Sequence, residues 1–276
     1  MIPMFSRPLF KYLFMWYPDA LPYSGDTMVK PDKMTAKIPA YGILCSSVLL
    51  GAGSLTIFAL FLFLGPFDLL DFGLSEPVSL GLNTSLCLIF FIQHSGMTRK
   101  SFRRWLERFI PPDFHNAFYT MMSGILIFTL IFFWQSSSHD LIKASGGLRW
   151  ILRIAFFLGC TGMTWGAMSL RFYEPFGILK ILRSLRGPGL PKRVMPFVIR
   201  GPYRWVRHPL YGCSLVLIWS CPDLSLDRLL FNALFTGWII IGILLEERDL
   251  TEALGNRYRT YQNHVPMIIP YRGKKD

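Results

Sequence analysis

The chain has 276 residues, of which 52% are hydrophobic, 16% aromatic and 17% charged, and its formal net charge is +12. Soluble domains carry about a quarter charged residues, so the composition predicts an integral membrane protein and argues against a soluble one. The positive charge does not indicate a nucleic-acid partner, because the basic residues cluster between hydrophobic segments.

The first residues contain prolines, glycines and charges of both signs, and they lack the basic stretch, apolar core and cleavage site of a signal peptide. We interpret residues 1–37 as an N-terminal extension that is cytoplasmic or interfacial. Apolar runs follow, and a transmembrane helix needs about 20 such residues. Four runs have roughly this length: residues 39–64, 78–94, 117–134 and 150–170. We expect them to form a four-span membrane region over residues 38–170.

Two shorter apolar runs, 209–222 and 229–245, are separated by a proline and two aspartates, which is typical of a tight helical hairpin. The sequence therefore predicts an all-α fold, a polytopic membrane helical bundle with about six spans, the last two forming a short hairpin. Before the hairpin, apolar and basic residues recur at helical spacing from Pro175 to Arg186. They indicate an amphipathic helix on the inner leaflet or an ordinary linking helix. We group residues 171–276, with this helix, the hairpin and a cytoplasmic tail, as the catalytic region.

The placement of lysine and arginine predicts the orientation of the spans. Basic residues crowd the 95–116 loop, the 171–208 connection and the C-terminal tail, whereas the 65–77 loop holds three acidic residues and no basic one. The 135–149 loop carries only two basic residues. Both termini are therefore predicted to face the cytoplasm, and so are the polar ends of the last two apolar runs.

The segment around His208 combines ionisable and aromatic groups at the predicted start of a helix. His208 stands directly before Pro209, and proline favours the first helical turn. A helix N-terminus attracts anionic groups, and Arg204 and Arg207 add positive charge, so an anionic part of a ligand can dock here. Tyr211 lies about one turn further, near the same mouth. Alternatively, the segment is a basic interfacial anchor with an aromatic belt residue.

Glu246 and Glu247 come at the predicted end of the last span, where a helix C-terminus disfavours negative charge. Because ionisable groups at the membrane are costly, we expect one carboxylate to bind a cationic amine or sulfonium. The other is expected to orient a substrate or accept a proton. A short hairpin would bring this pair next to His208. Tyr258 and Tyr261, three residues apart, share a helix face and either cover the pocket or anchor at the interface.

Several kinds of site are excluded by missing motifs. The chain has no G-x-G-x-x-G after a strand, no G-x-x-x-x-G-K-[ST] and no H-E-x-x-H, which argues against a Rossmann cofactor site, a P-loop and a zincin. The cysteines lie in or beside apolar segments without a C-x-x-C pair, so we expect reduced thiols and no metal site. They are Cys45, Cys87, Cys160, Cys213 and Cys221. We interpret His94, at the end of the second run, as a packing histidine rather than a catalyst.

Three segments together resemble the isoprenylcysteine carboxyl methyltransferase superfamily, which also includes phospholipid methyltransferases. They are R-G-P-Y-R-W-V-R-H-P-L-Y-G at 200–212, E-E-R-D-L at 246–250 and L-G-x-x-Y-x-x-Y-x-x-x-V-P-M-I-I-P at 254–270. Gln93-His94-Ser95 and Trp219 extend the resemblance over most of the chain. They are similar to the branch that contains the methanethiol S-methyltransferases and nurim, and the last two segments lean toward the former.

The resemblance implies a helical membrane methyltransferase that uses S-adenosylmethionine. The implied cofactor-binding residues are Tyr203, His208, Pro209, Leu210 and Tyr211, with the backbone of Met195, Pro196, Phe197 and Val198. Glu246 is implied to approach the substrate and Glu247 to support it as a second catalytic residue, and we add Tyr258 and Tyr261 to the substrate site. The isoprenylcysteine enzymes have an arginine four residues before the first glutamate, where this chain has Gly242. A small or neutral nucleophile such as a thiol therefore fits better than a prenylcysteine.

The function predicted is methyl transfer to a small or lipophilic acceptor, a thiol above all, by in-line displacement at the cytoplasmic face of the membrane. Three alternatives stay open: an isoprenylcysteine carboxyl or phospholipid methyltransferase, a non-enzymatic nurim-like membrane protein, and an NADPH-dependent sterol-type reductase with a similar His-Pro-x-Tyr segment. The expected partners are the lipid bilayer and the methyl acceptor. We expect no nucleic acid and infer no obligate protein partner.

Overall fold

The computed structural model describes residues 37–170, 176–186 and 199–270, so almost all of the N-terminal extension lies outside it. Within these ranges the chain is mostly helical. Its helices are α1 Lys37–Leu64, α2 Glu76–Met97, α3 Lys100–Leu106, α4 His115–Phe132, α5 Gly146–Ser169, α6 Ile178–Arg186, α7 Pro209–Trp219, α8 Leu226–Leu254 and α9 Asn256–His264. Two short strands, β1 Asp140–Lys143 and β2 Asp223–Ser225, pair antiparallel, and 3₁₀ turns cover Pro112–Phe114 and Gly201–Arg204.

Five of the described helices, α1, α2, α4, α5 and α8, are long and apolar enough to cross a membrane. The predicted helical membrane bundle is therefore confirmed, and its first four spans lie close to their expected positions. The sixth candidate, α7, has only 11 residues. At 1.5 Å per residue it is about 16 Å long, too short for a hydrocarbon core of about 30 Å.

The last span differs most from the expectation. The apolar run at 229–245 predicts a short hairpin arm, but α8 has 29 residues and extends well beyond that run. The predicted end of this helix at residue 245 is wrong. Hydropathy falls at Glu246, but the spacing of core-facing residues continues beyond it. Ile243, Glu247 and Leu250 are all buried, at intervals of four and three residues that keep one helix face turned inward.

The β1–β2 ribbon fixes one end of the bundle, and the all-α expectation missed it. β2 is followed directly by the first residue of α8, and the backbone amide of Leu226 donates to the carbonyl of His139 beside β1. From Leu226 to Glu246 the helix rises about 30 Å, which matches the thickness of the hydrocarbon core. The ribbon and Glu246 therefore lie at opposite ends of the membrane-embedded part.

Helix α6 confirms the helix predicted between Pro175 and Arg186, with its start at Ile178. Ile181 is fully buried against Ala40 of α1 and Ala117 of α4. Part of the apolar face of α6 therefore covers the bundle itself. Its placement on the inner leaflet stays a prediction.

Small residues on α5 allow α7 to approach closely. A Cβ atom added to Gly162 would lie 2.6 Å from Cys213 Sγ, and one added to Gly166 would lie 2.7 Å from Leu210 Cδ2. Gly159 makes the same kind of contact one turn earlier. Glycine at a helix interface lets two backbones come together inside a membrane. The short helix α7 is therefore held against a full-length span rather than supported by lipid on all sides.

This contact generates a stability prediction for Gly162→Ala. The added methyl group must displace Cys213, and overpacking of this kind lowers the free energy of unfolding by about 1–3 kcal/mol. We expect a lower midpoint of thermal unfolding in detergent. Gly81→Ala on α2 is the matched control, because open space surrounds its Cβ position and alanine favours helix. Equal midpoints for the two variants would contradict the close α5–α7 contact.

Candidate active site

The segment before α7 is held by the C-terminal strap, which we define as residues 265–270. The backbone amide of Arg207 donates to the carbonyl of Pro266 at 2.9 Å, and that of His208 donates to Met267 at 3.0 Å. His208 adopts a non-helical conformation at the N-cap, and Pro209 is the first helical residue, as the sequence predicts. The strap therefore sets the position of the His208 side chain at the start of α7.

The carboxylate of Glu247 is the centre of the site. Its side chain is 10% exposed, and Arg207 binds it with two nitrogens, Nε to Oε1 at 2.8 Å and Nη2 to Oε2 at 3.2 Å. The Tyr258 hydroxyl donates to Oε1 at 2.8 Å, and the Gln262 amide donates to Oε2. Donors from the start of α7 and from α9 therefore converge on one buried anion of α8.

His208 completes this set, with Nε2 at 2.6 Å from Glu247 Oε1. A carboxylate only accepts hydrogen bonds, so the proton of this bond belongs to Nε2. The other ring nitrogen, Nδ1, faces the neighbouring carboxylate, 4.0 Å from Glu246 Oε2. His208 is itself 4% exposed. The ring is therefore fixed in orientation, with Nδ1 on the Glu246 side.

Arg207 was expected to add positive charge for an anionic ligand, but the structure gives it another role. Besides Glu247, its Nη1 donates to the backbone carbonyls of Gln262 at 3.0 Å and Val265 at 2.5 Å. Its charge is neutralised within the protein, so the docking of an anion on Arg207 is not supported. Of the two arginines considered, only Arg204 lies exposed near this mouth.

Glu246 has a different environment from its neighbour. Its side chain is 12% exposed, and the Tyr211 side chain lies close enough to interact with it electrostatically. Across the described ranges, no lysine or arginine nitrogen lies within 4.0 Å of its carboxylate, and the nearest basic group is His208. Removing an anion from water without a compensating charge is costly. Within the described ranges, Glu246 is therefore the carboxylate of this site that has no lysine or arginine partner.

The two glutamates were expected at the C-terminus of a helix, and this expectation is wrong because α8 continues to Leu254. The helix dipole therefore gives no reason for their presence. Their burial gives a better reason for their presence, since Glu247 is 8% exposed and neither carboxylate lies in open water. Adjacent residues of an α-helix point about 100° apart, which is why one carboxylate meets Arg207 and the other meets Tyr211.

Tyr258 and Tyr261 share a buried face of α9, so neither is an exposed interfacial anchor. Tyr258 is 1% exposed and Tyr261 is 7% exposed, and the Tyr261 hydroxyl donates to the carbonyl of Tyr203 at 2.6 Å. Burial raises the pKa of Tyr258, and its hydrogen bond to Glu247 raises that pKa further. Tyr258 therefore stays a neutral donor to Glu247. A direct contact of either tyrosine with a substrate stays a prediction.

The structure describes three of the remaining predicted residues and leaves the other four outside its described ranges. The Leu210 side chain packs on α5, where it would meet a Cβ at Gly166. Pro209 is buried at the start of α7, and Tyr203 supplies the carbonyl that Tyr261 binds. The predicted cofactor residues Met195, Pro196, Phe197 and Val198 lie outside the described residues.

Sequence reasoning missed Gln262 and the pairing of Arg207 with Glu247. Gln262 lies four residues after Tyr258, on the same face of α9, and this spacing is the only signal that could have found it. An open groove of about 460 Å³ lies beside Glu247 and Gln262. Its lining residues are Glu247, Arg248, Thr251, Glu252, Arg259 and Gln262. Glu247 therefore borders both the groove and His208.

His94 lies in a separate polar cluster between α2, α4 and α8. The Tyr119 hydroxyl is within 2.7 Å of its Nε2, and the ring packs between Phe90, Tyr119 and Trp238 at centroid distances near 5 Å. The Trp238 indole donates to Ser95 at 3.0 Å. These contacts favour the packing role that we expected for His94.

Comparison with known proteins gives consistent matches. The methanethiol S-methyltransferase of Pseudomonas sp. strain GM41 is 34% identical to this chain over 206 residues, which cover 73% of the chain and 77% of that enzyme. The enzyme of the same name from Mycobacterium tuberculosis is 31% identical over 73% of the chain and 83% of its own length. Rat Nurim is 23% identical over 62% of the chain and 68% of its own length. No family model matches the chain, and no solved structure does.

The geometry around Glu247 generates a prediction for Glu247→Ala. The substitution leaves the Arg207 guanidinium buried without its counter-ion, and breaking a buried pair in this way costs about 3–5 kcal/mol of the free energy of unfolding. We expect a large fall in the thermal midpoint in detergent. Glu252→Ala, an exposed glutamate on the same helix, is the control and should change the free energy of unfolding by about 0.5 kcal/mol or less. Similar midpoints for both variants would show that Glu247 does not hold the site together.

Proposed function

Because the chain belongs to the methanethiol S-methyltransferase family, we propose that it methylates a small thiol with S-adenosylmethionine as the methyl donor. It is an integral membrane methyltransferase, and five helices of its described part are long enough to span a membrane. The reaction site lies between the start of α7 and the residues of α8 around Glu246. The placement of lysine and arginine supports a cytoplasmic position for this end of the bundle, where a polar cofactor is available.

The observation that carries the proposal is the Glu246 carboxylate, buried and without a lysine or arginine partner among the described residues. A sulfonium ion carries a positive charge and has no N–H or O–H group, so a nearby carboxylate stabilises it through charge. The residues of this site fit such a cation, since Glu246 offers a negative charge and Tyr211 lies beside the carboxylate. The charge of Glu247, in contrast, is already neutralised by Arg207.

Bound S-adenosylmethionine supplies an electrophilic methyl group on its sulfonium. The residues of this chain contribute orientation and proximity, which lower the barrier of a bimolecular reaction. Glu246 and Tyr211 position the cation, while the packed helices α7 and α8 keep bulk water from the reacting atoms. Since attack on a methyl group is in line with the leaving sulfur, the acceptor approaches from the side opposite to the bulk of the cofactor.

The residue one turn before Glu246 bears on the kind of acceptor. It is Gly242, and a Cβ atom at this position would make an ordinary van der Waals contact with the Tyr211 hydroxyl, at 3.8 Å. The absence of a basic side chain at Gly242 removes a partner for a carboxylate substrate. This feature supports a thiol over a prenylcysteine. We propose the bilayer and this thiol as the partners, with neither nucleic acid nor an obligate protein partner.

Calorimetric titration of the detergent-purified protein tests the proposal. We expect S-adenosylhomocysteine and S-adenosylmethionine to bind and NADPH not to bind. Binding of NADPH alone would identify a reductase, and binding of none of these ligands would favour a non-enzymatic protein. Transfer of a labelled methyl group from S-adenosylmethionine to methanethiol then tests the acceptor.

The role of Glu246 predicts a difference between the two sulfur ligands. S-adenosylmethionine carries a sulfonium charge, whereas the sulfur of S-adenosylhomocysteine is neutral. In Glu246→Gln we therefore expect the affinity for S-adenosylmethionine to fall by about tenfold or more, equivalent to about 1.4 kcal/mol, with a much smaller change for S-adenosylhomocysteine. Glu252→Gln is the control and should bind both as the unchanged protein does. Equal losses for both ligands in Glu246→Gln would refute the pairing of Glu246 with the sulfonium.

A further inference from the structure

A thiol must lose its proton when it is methylated, and the site has to provide an acceptor. We propose that His208 Nδ1, oriented by Glu247, is the general base that removes the proton from the acceptor thiol; this inference rests on the function proposed above. It assigns the proton transfer to the histidine rather than to either glutamate.

The geometry around the imidazole carries the inference. Nε2 is fixed by Glu247 Oε1 at 2.6 Å and carries the proton of that bond, so in the neutral ring the lone pair is on Nδ1. Nδ1 faces Glu246, 4.0 Å from its carboxylate, and the His208 and Tyr211 rings are 5.7 Å apart. The base therefore points to the place where the thiol and the sulfonium must meet, between Glu246 and Tyr211.

Neither carboxylate is suited to accept the proton of the thiol. Glu247 already accepts from Arg207, Tyr258, Gln262 and His208, so its lone pairs are engaged and its charge is neutralised. Glu246 is needed as an anion opposite the sulfonium, and protonation would remove that charge before methyl transfer. A carboxylate that holds one nitrogen of an imidazole fixes its tautomer and stabilises the imidazolium formed at the other.

The S–H bond breaks and an N–H bond forms at Nδ1, while a sulfur electron pair of the thiolate forms the new S–CH₃ bond. The bond between the methyl group and the sulfonium sulfur breaks, and its electrons neutralise that sulfur. The imidazolium then lies between Glu246 and Glu247, and it returns its extra proton to water when the products leave.

Acceptor thiols of different acidity test the inference. An aromatic thiol with an electron-withdrawing group is already a thiolate near neutral pH and needs no base, whereas methanethiol arrives protonated. In His208→Gln we expect kcat with methanethiol to fall by about 100-fold or more, while kcat with 4-nitrothiophenol changes by less than about fivefold. Equal losses with both thiols would overturn the inference and leave His208 a positioning residue. Absence of methyl transfer to any thiol in the unchanged protein would instead refute the proposed function.

The pH dependence and a control variant sharpen this test. The methanethiol defect of His208→Gln should shrink as the pH rises, because the thiolate then forms in solution. Among the described residues, the charged and titratable groups around the ring and its Glu247 partner are Arg207, Tyr211, Glu246, Glu247 and Tyr258, and all of them remain in this variant. His264→Gln, an exposed histidine of α9, is the matched control and should keep the ratio of the two rates. A methanethiol defect that is independent of pH would contradict a role of His208 as base.

Two further measurements do not depend on the activity of the variant. Nitrogen-15 NMR of the histidine-labelled protein bound to S-adenosylhomocysteine should show His208 with its proton on Nε2, assigned by the signal that is lost in His208→Gln. A proton on Nδ1 of the neutral ring would overturn the inference. If His208→Gln does not fold, the unchanged protein is compared with both thiols in deuterated water. A solvent isotope effect on kcat is expected with methanethiol only, and equal effects for both thiols would count against the base.

Discussion

The rest of the site depends on the buried ion pair between Arg207 and Glu247. Burying two charges is favourable only when the remaining donors and acceptors are satisfied as well, and here both groups are saturated. Arg207 reaches two carbonyls of the C-terminal region, and Glu247 accepts from Tyr258, Gln262 and His208. One pair therefore joins the start of α7, α8, α9 and the C-terminal strap into a single unit.

This junction solves a problem that the membrane sets. α7 is too short to span the hydrocarbon core, so lipid alone cannot fix its depth or its rotation. One side of α7 packs closely on the glycines of α5. The start of α7 is held by the backbone hydrogen bonds of Arg207 and His208 to the C-terminal strap. Its N-terminus is thereby placed beside Glu246, about 30 Å from the β1–β2 ribbon along α8. Reacting groups can lie at one end of the bundle because a short helix is held there by its neighbours.

The sequence was sufficient for the first four spans, because hydropathy determines them. It also singled out His208, Tyr211 and Glu246, which the fold brings together, and their roles stay predictions. It was insufficient for the end of α8, where charged residues lower hydropathy although the helix continues. It also could not reveal the pairing of Arg207 with Glu247, since 40 residues separate them and local spacing carries no information on such contacts. The prediction of an anion site at Arg207 was wrong for this reason. The antiparallel ribbon was missed because its strands are too short to give a recognisable pattern in the sequence.

Two identical neighbours in the sequence thus become chemically different groups in the fold. Because adjacent residues of a helix point about 100° apart, the Glu247 carboxylate faces the Arg207 guanidinium and the Glu246 carboxylate faces the Tyr211 phenol. The first is neutralised and can only hold its partners in place. The second has no lysine or arginine partner among the described residues and lies next to an imidazole whose orientation is set by the first. Adjacent glutamates on one helix therefore differ because their side chains face different neighbours.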